Sequence, residues 1–307
     1  MRFTRRTITS VPRGVRTGPA IALASVLLTA AATGRAAAQH RGSLLIVGGG
    51  TQPDALVQRF VDLAGGAGHA VIAIVPLAGD EPQATGDEKA DQLRRFGARA
   101  YTLPLSGDAP AAGAASSLDS ATGIWFTGGD QSALASALAG TDIVAAIVRR
   151  YRVGAAIGGT SAGAAIMSDS MITGNQRRPD SVGYYGDEFP LIARGTIEIR
   201  PGFGLLPGAI VDQHFVRRER TNRLLSAVLE RPRLLGVGID EGTALEVAPD
   251  GRWWVRGQSV VVIYDARRAT ITDTTAPVLG ARGVAVHILP PGSSFDPGHG
   301  TARLVAP

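Results

Sequence analysis

Cysteine is absent from the 307 residues, and lysine occurs once, at Lys89. The first absence excludes disulfide staples, a cysteine nucleophile and thiolate metal sites. The second leaves almost no room for covalent chemistry on a lysine amine. An apolar run does occur near the start, over residues 20–32. It is shorter than the roughly 20 residues a bilayer span needs. Arg2, Arg5, Arg6, Arg13 and Arg16 precede it without any acid, and Ala36, Ala37 and Ala38 follow it. A basic leader, a short apolar stretch and small residues form the layout of a secretory signal peptide. The expected organisation is therefore a signal peptide over 1–38 and a single domain over 39–307, exported to the periplasm or the extracellular space. The Arg5–Arg6 pair hints at a twin-arginine route.

An excess of one charge is lacking too, once the leader is set aside. The leader holds six of the 31 basic residues and none of the 26 acidic ones, so the remainder carries 25 against 26, a formal net of −1. That balance argues against nucleic acid and, after leader cleavage, against a membrane surface as partner.

From residue 43 onward, apolar runs alternate with helical spacing. Strands are predicted at 43–47, 70–75, 98–103, 123–127 and 153–157, and helices at 53–64, 88–96, 132–138 and 143–151. Continuous apolar strands between helices predict an α/β fold with a parallel sheet covered on both faces. Residues 175–189 read as a polar loop. A strand at 209–212, a helix at 216–229 and a strand at 235–239 come next, then shorter β segments at 244–247, 253–255, 260–264 and 284–289. No internal repeat or linker divides residues 39–307.

Gly159, Thr160, Ser161, Ala162 and Gly163 fit G-x-S-x-G between a predicted strand and a predicted helix over 162–167. A sharp turn there needs small flanking residues and leaves the Ser161 hydroxyl near helix N–H groups. The plainer alternatives are a helix cap or a phosphate-binding turn, and the P-loop lysine is missing. A nucleophilic serine needs a base and the base a carboxylate. Of the five histidines, His214 ends the 209–212 strand, whereas His287 and His299 lie late in the chain. Asp240 and Glu241 follow the 235–239 strand, and adjacent residues of an extended segment face opposite ways. Only one of the two is then expected to meet His214.

The segments FTGGDQ (126–131), GGTSAGA (158–164), GLLP (204–207), DQHF (212–215) and GIDEGTA (238–244), with Arg218, Arg220, Arg223 and Leu224, resemble the cyanophycinase family of serine peptidases. That family is related to aspartyl and isoaspartyl dipeptidases, and the likeness spans about 44–289. The resemblance implies a flavodoxin-like, class I glutamine-amidotransferase-like sheet. It implies a Ser161–His214–Glu241 triad and an oxyanion hole from the Gly129 and Ala162 N–H groups. Gln131, Asp212, Gln213, Arg218, Arg220 and Arg223 would lie at the substrate, with no cofactor and no metal. The implied activity is exopeptidase hydrolysis of cyanophycin or another β-aspartyl peptide through an acyl-enzyme, and a homodimer is compatible with it.

Two features depart from the family. Gly242 stands where many relatives carry Asn or Asp, and 53 positions separate Ser161 from His214, with the stretch 175–192 expected at the pocket rim. On the expected 216–229 helix, Arg220 and Arg223 share a face and are predicted to meet a substrate carboxylate. A solvated basic face paired with Glu219 and Glu230 is the plainer reading. Two rival functions remain. An esterase of the α/β-hydrolase type would use His287 or His299. A non-catalytic binding module would need none of these groups together.

Overall fold

The computed structural model describes residues 41–176, 189, 191–272, 275 and 277–305. The expected signal peptide lies outside them, as does most of the expected polar loop. Strands β1 (Leu44–Val47), β2 (Val71–Val75), β3 (Arg99–Thr102), β4 (Gly123–Phe126) and β5 (Ala156–Thr160) pair in parallel, in the order β3-β2-β4-β5-β1. Strand β1, Leu-Leu-Ile-Val, is buried throughout, as a strand covered on both faces must be. Helix α1 (Asp54–Leu63) follows β1, α2 (Pro82–Arg94) follows β2, α3 (Gln131–Leu138) and α4 (Asp142–Arg152) follow β4, and α5 (Ala162–Ala165) follows β5.

Side chains of α1 and α2, including Phe60, Ala90 and Leu93, pack with Leu45, Val47 and Trp125 on one face. On the other, Leu134, Ile143 and Ile147 pack against Leu44, Ile46 and Phe126. Strands β6 (Ser170–Gln176) and β7 (Ile197–Pro201) pair with each other, so residues 175 and 176, read as loop, belong to a strand.

A second sheet joins this face. It consists of β8 (Ala209–Gln213) and β9 (Leu235–Ile239), parallel to each other, with β12 (Val261–Asp265) and β13 (Ala285–Leu289) added antiparallel. Val211, Val237 and Ile263 face the same core as Ile46 and Phe126. Helix α6 (Thr221–Glu230) closes the far side through Leu224, Ala227 and Val228. Strands β10 (Thr243–Val247), β11 (Trp253–Gly257), β14 (Ser294–Asp296) and β15 (Thr301–Arg303) return to the first sheet, continuing it antiparallel beyond β1.

Three local expectations shift. Helix α2 begins six residues early, at Pro82, because proline at the first helical position forfeits only an N–H that would be unpaired anyway. Strand β5 starts at Ala156 rather than 153, because Val153 caps α4 and Gly154 turns the chain at φ 107°. Helix α6 starts at Thr221 rather than 216, because residues 214–220 form turns. There the Val216 and Arg217 N–H groups donate to Asp240 Oδ1 at 3.2 and 2.9 Å.

Candidate active site

Ser161 occupies the turn from β5 into α5 at φ 52°, ψ −111°. A non-glycine residue held there carries strain of about 1–3 kcal/mol. Its backbone is pinned on both sides. The Ser161 N–H donates to Val47 O at 3.1 Å, and Ser161 O accepts from the Ala164 and Ala165 N–H groups at 2.9 and 3.0 Å. The flanking glycines are sterically required. A β-carbon on Gly159 would stand 2.5 Å from Gly163 O, and one on Gly163 2.5 Å from Phe126 O.

His214 follows β8 on the second sheet. Its φ is 48°, and its N–H donates to Gly48 O at 2.6 Å, tying it to the end of β1. Its Nε2 lies 2.9 Å from Ser161 Oγ, and its Nδ1 lies 2.6 Å from Glu241 Oε1. Glu241 sits where the chain crosses from β9 in one sheet to β10 in the other. The Gly242 N–H donates to Gly49 O at 3.0 Å. Gly242 has φ 61°, a left-handed conformation that Asn and Asp also tolerate, which accounts for glycine standing there.

Asp240 points elsewhere. Besides the Val216 and Arg217 N–H groups, its carboxylate accepts the Ser259 hydroxyl at 2.7 Å. His287 and His299 are remote from Ser161 Oγ in bonding. His287 packs edge-on against Phe295, and His299 Nδ1 lies 2.9 Å from Asp296 Oδ2.

Burial pushes the His214 pKa below its ordinary value. The Glu241 hydrogen bond opposes that shift, and the Arg218 and Arg220 charges add to it. The imidazole is therefore neutral at pH 7, the form that accepts a proton. Gly129 is also backbone-specific: at φ 134°, a β-carbon would stand 1.8 Å from Ala78 O. Among the described residues, neither the Gly129 nor the Ala162 N–H has a hydrogen-bond partner.

The residues expected at the substrate divide. Arg218 is exposed and close enough to His214 to act on its charge. Asp212 is fully buried and grips Arg223, whose Nε donates to Oδ2 at 2.9 Å and whose Nη2 donates to Oδ1. Arg220 donates through Nη1 to Gln213 O at 2.7 Å and stands 3.8 Å from Asp212 Oδ1. Arg220 and Arg223 are 6% and 2% exposed, so the solvated basic face is corrected. Glu230 instead accepts the Gly195 N–H. Arg220 is the cap residue before α6 rather than part of an exposed helix face. Gln131 donates Nε2 to Ile172 O at 2.9 Å. Gln213 Oε1 is buried with no partner among the described residues.

Sequence reasoning missed Gly49 and Gly50, on which the histidine and the glutamate rest. A β-carbon on Gly49 would meet the His214 ring, and one on Gly50 would stand 2.9 Å from Glu241 Cβ. Their only signal was the run of three glycines after the first strand.

A strained serine on a strand–helix turn, bonded to a neutral histidine that is bonded to a carboxylate, is a site of the serine-hydrolase class. The chain belongs to peptidase family S51, whose profile matches residues 44–252, and it is a serine-type peptidase. The cyanophycinase of Synechococcus elongatus is 34% identical over 271 residues, covering 84% of this chain and 80% of its own. The cyanophycinase of Geminocystis herdmanii is 33% identical over 269 residues, covering 83% and 94%. A solved peptidase from an acI-B1 Actinobacterium shares the fold, with a TM-score of 0.57 at 23% identity over 74% of this chain and 93% of that one.

Proposed function

We propose that this chain is an exported exopeptidase that hydrolyses cyanophycin or another β-aspartyl peptide through an acyl-enzyme on Ser161. The observation that carries the reading is the hydrogen-bonded series Ser161 Oγ, His214 Nε2, His214 Nδ1 and Glu241 Oε1. Ser161 attacks the scissile carbonyl while His214 takes its proton, and Glu241 stabilises the imidazolium. The Gly129 and Ala162 N–H groups receive the oxyanion, a contribution of about 3–4 kcal/mol in such sites. His214 then protonates the leaving amine, and water repeats the sequence on the ester. This route requires neither metal nor cofactor. The esterase reading loses support because neither His287 nor His299 bonds to Ser161.

The substrate class follows from the relatives, both cyanophycinases. A β-linkage leaves an α-carboxylate beside the scissile bond, and exposed Arg218 beside His214 suits it. The deciding experiment incubates purified protein with cyanophycin and with matched α- and β-aspartyl peptides. Cleavage of cyanophycin or the β-linked set, lost in Ser161→Ala, supports the reading. Cleavage of the α-linked peptides alone overturns the substrate class. Export rests on the leader. Intact-mass analysis of the secreted protein should give Gln39 or a close neighbour as first residue, and a mature form starting at Met1 overturns it.

A further inference from the structure

Lys89, the one lysine of the chain, is buried in α2 at 8% exposure. No carboxylate pairs with it among the described residues. Its Nζ donates to Gln52 Oε1 at 2.5 Å and Gln92 Oε1 at 2.7 Å and sits 4.1 Å from the centroid of the Trp125 ring. Amide oxygens and a ring face hold the amine in place, yet leave its charge without a counter-charge. Burial pulls its pKa down to about 7, and no acid offsets the shift.

Lys89 lines a cavity of about 460 Å³. The cavity borders the Ser161–His214–Glu241 site, because Gly50, Gly128 and Thr160 also line it. Thr160 precedes Ser161, Gly128 precedes Gly129, and Gly50 abuts Glu241. Trp125 and Thr127 also line it, with their polar atoms turned away from the open space. The Lys89 ammonium donates only and is cationic, with one N–H left over after Gln52 and Gln92. A carboxylate, with acceptor sites only, complements it. The charged lining residues Glu88, Asp91 and Arg95 are exposed at the mouth, and Asp91 is paired with Arg94.

The cavity lies on the α1–α2 face of the first sheet, whereas His214 arrives from the second sheet on the opposite face. It is thus a different wall from that of Arg218. The arginines expected to bind a carboxylate, Arg220 and Arg223, are engaged with Gln213 and Asp212.

We propose that this cavity is a carboxylate subsite for the peptide substrate, with Lys89 as its cation. The proposal rests on the reading of Ser161 as the attacking group. A bound carboxylate favours the protonated amine, so affinity falls as pH rises through about 7.

The test measures binding by calorimetry to Ser161→Ala protein, which holds the peptide uncleaved. The probes are β-aspartyl-arginine and its two mono-amides, each with one carboxylate neutralised. One amide should bind about tenfold more weakly, the size of a lost charged hydrogen bond. In Lys89→Met/Ser161→Ala the same replacement should cost under about twofold, and the pH dependence near 7 should flatten. Lys89→Arg should retain the discrimination. If Lys89→Met fails to fold, Lys89→Gln and the pH dependence of the Lys89 protein carry the test. Unchanged discrimination in Lys89→Met, or affinity flat across pH 7 with lysine present, overturns the subsite while leaving the peptidase reading intact. Lysine-dependent binding of peptides that the unsubstituted enzyme does not hydrolyse overturns the reading of β-aspartyl peptides as its substrates and leaves the subsite standing.

Discussion

Gly49 lies directly against the His214 imidazole: a β-carbon there would stand 2.3 Å from Cε1 and 2.4 Å from Nε2. The residue is also at φ 111°, a region closed to other side chains. The ring has no room to retreat, because its two nitrogens are engaged by Ser161 and Glu241. Gly49→Ala should therefore displace the imidazole and lower kcat by about a hundredfold or more, since small misplacements of reacting groups cost that much. Steady-state kinetics with circular dichroism checks this. Full activity in a folded Gly49→Ala protein would remove the glycine from the site.

The three late histidines should separate cleanly. His214→Ala should cut kcat by about four orders of magnitude or more. His287→Ala and His299→Ala should keep most turnover, since one packs on Phe295 and the other pairs with exposed Asp296. Initial rates on one peptide decide it. Loss in His287→Ala with His214→Ala unaffected would restore the esterase reading.

The two neighbouring acids should fail in different ways. Glu241→Gln keeps the shape but removes the charge beside His214 Nδ1, and kcat should fall by about three to four orders of magnitude. Asp240→Asn disturbs the turn that it caps through Val216, Arg217 and Ser259, so its main cost should be stability, about 1–3 kcal/mol. Paired kcat and urea-unfolding measurements distinguish them. A larger kcat loss in folded Asp240→Asn reverses the roles.

His214 must be neutral to act, and burial lowers its pKa. The acid limb of kcat/KM should accordingly have its midpoint below the ordinary histidine value of about 6.5. Arg218 contributes to the lowering, so Arg218→Ala should move the midpoint upward. The pH profiles of the two proteins test both signs, and a downward shift in Arg218→Ala would contradict the electrostatic account.

Asp212 and Arg223 form a fully enclosed ion pair. Removing Arg223 leaves buried Asp212 with only the Arg220 guanidinium at 3.8 Å, so Arg223→Met should destabilise the fold by about 3 kcal/mol. Denaturant unfolding measures it. Unchanged stability with a raised KM would return Arg223 to the substrate.

Much of the site was legible because it is local. G-x-S-x-G between an apolar strand and a helix specifies a turn, and the turn's steric demands fall on residues within the motif: Gly159 against Gly163. The choice of His214 came from its position at a strand end. That position held, although β8 belongs to a second sheet and not to the sheet that carries Ser161. Helix α6 was misread at its start because the partner of the 214–220 turns, Asp240, is distant in sequence.

Segment order supplied the peptidase class only through its likeness to the cyanophycinase family. Hydrophobic period and the G-x-S-x-G motif by themselves determined the alternating α/β build and the tight turn at Ser161. These depend on hydrophobic period and on contacts a few residues long. The likeness already implied Glu241 over Asp240, and tertiary structure supplied the reason: a crossover between sheets aims Glu241 at the ring and Asp240 at backbone N–H groups. Tertiary structure also decided that Arg220 and Arg223 are buried against Asp212 and Gln213 rather than open to a ligand, and that Lys89 lies in a cavity beside the Ser161 turn. Such pairings join segments far apart in the chain, and only the packing of the layers brings their side chains within bonding distance.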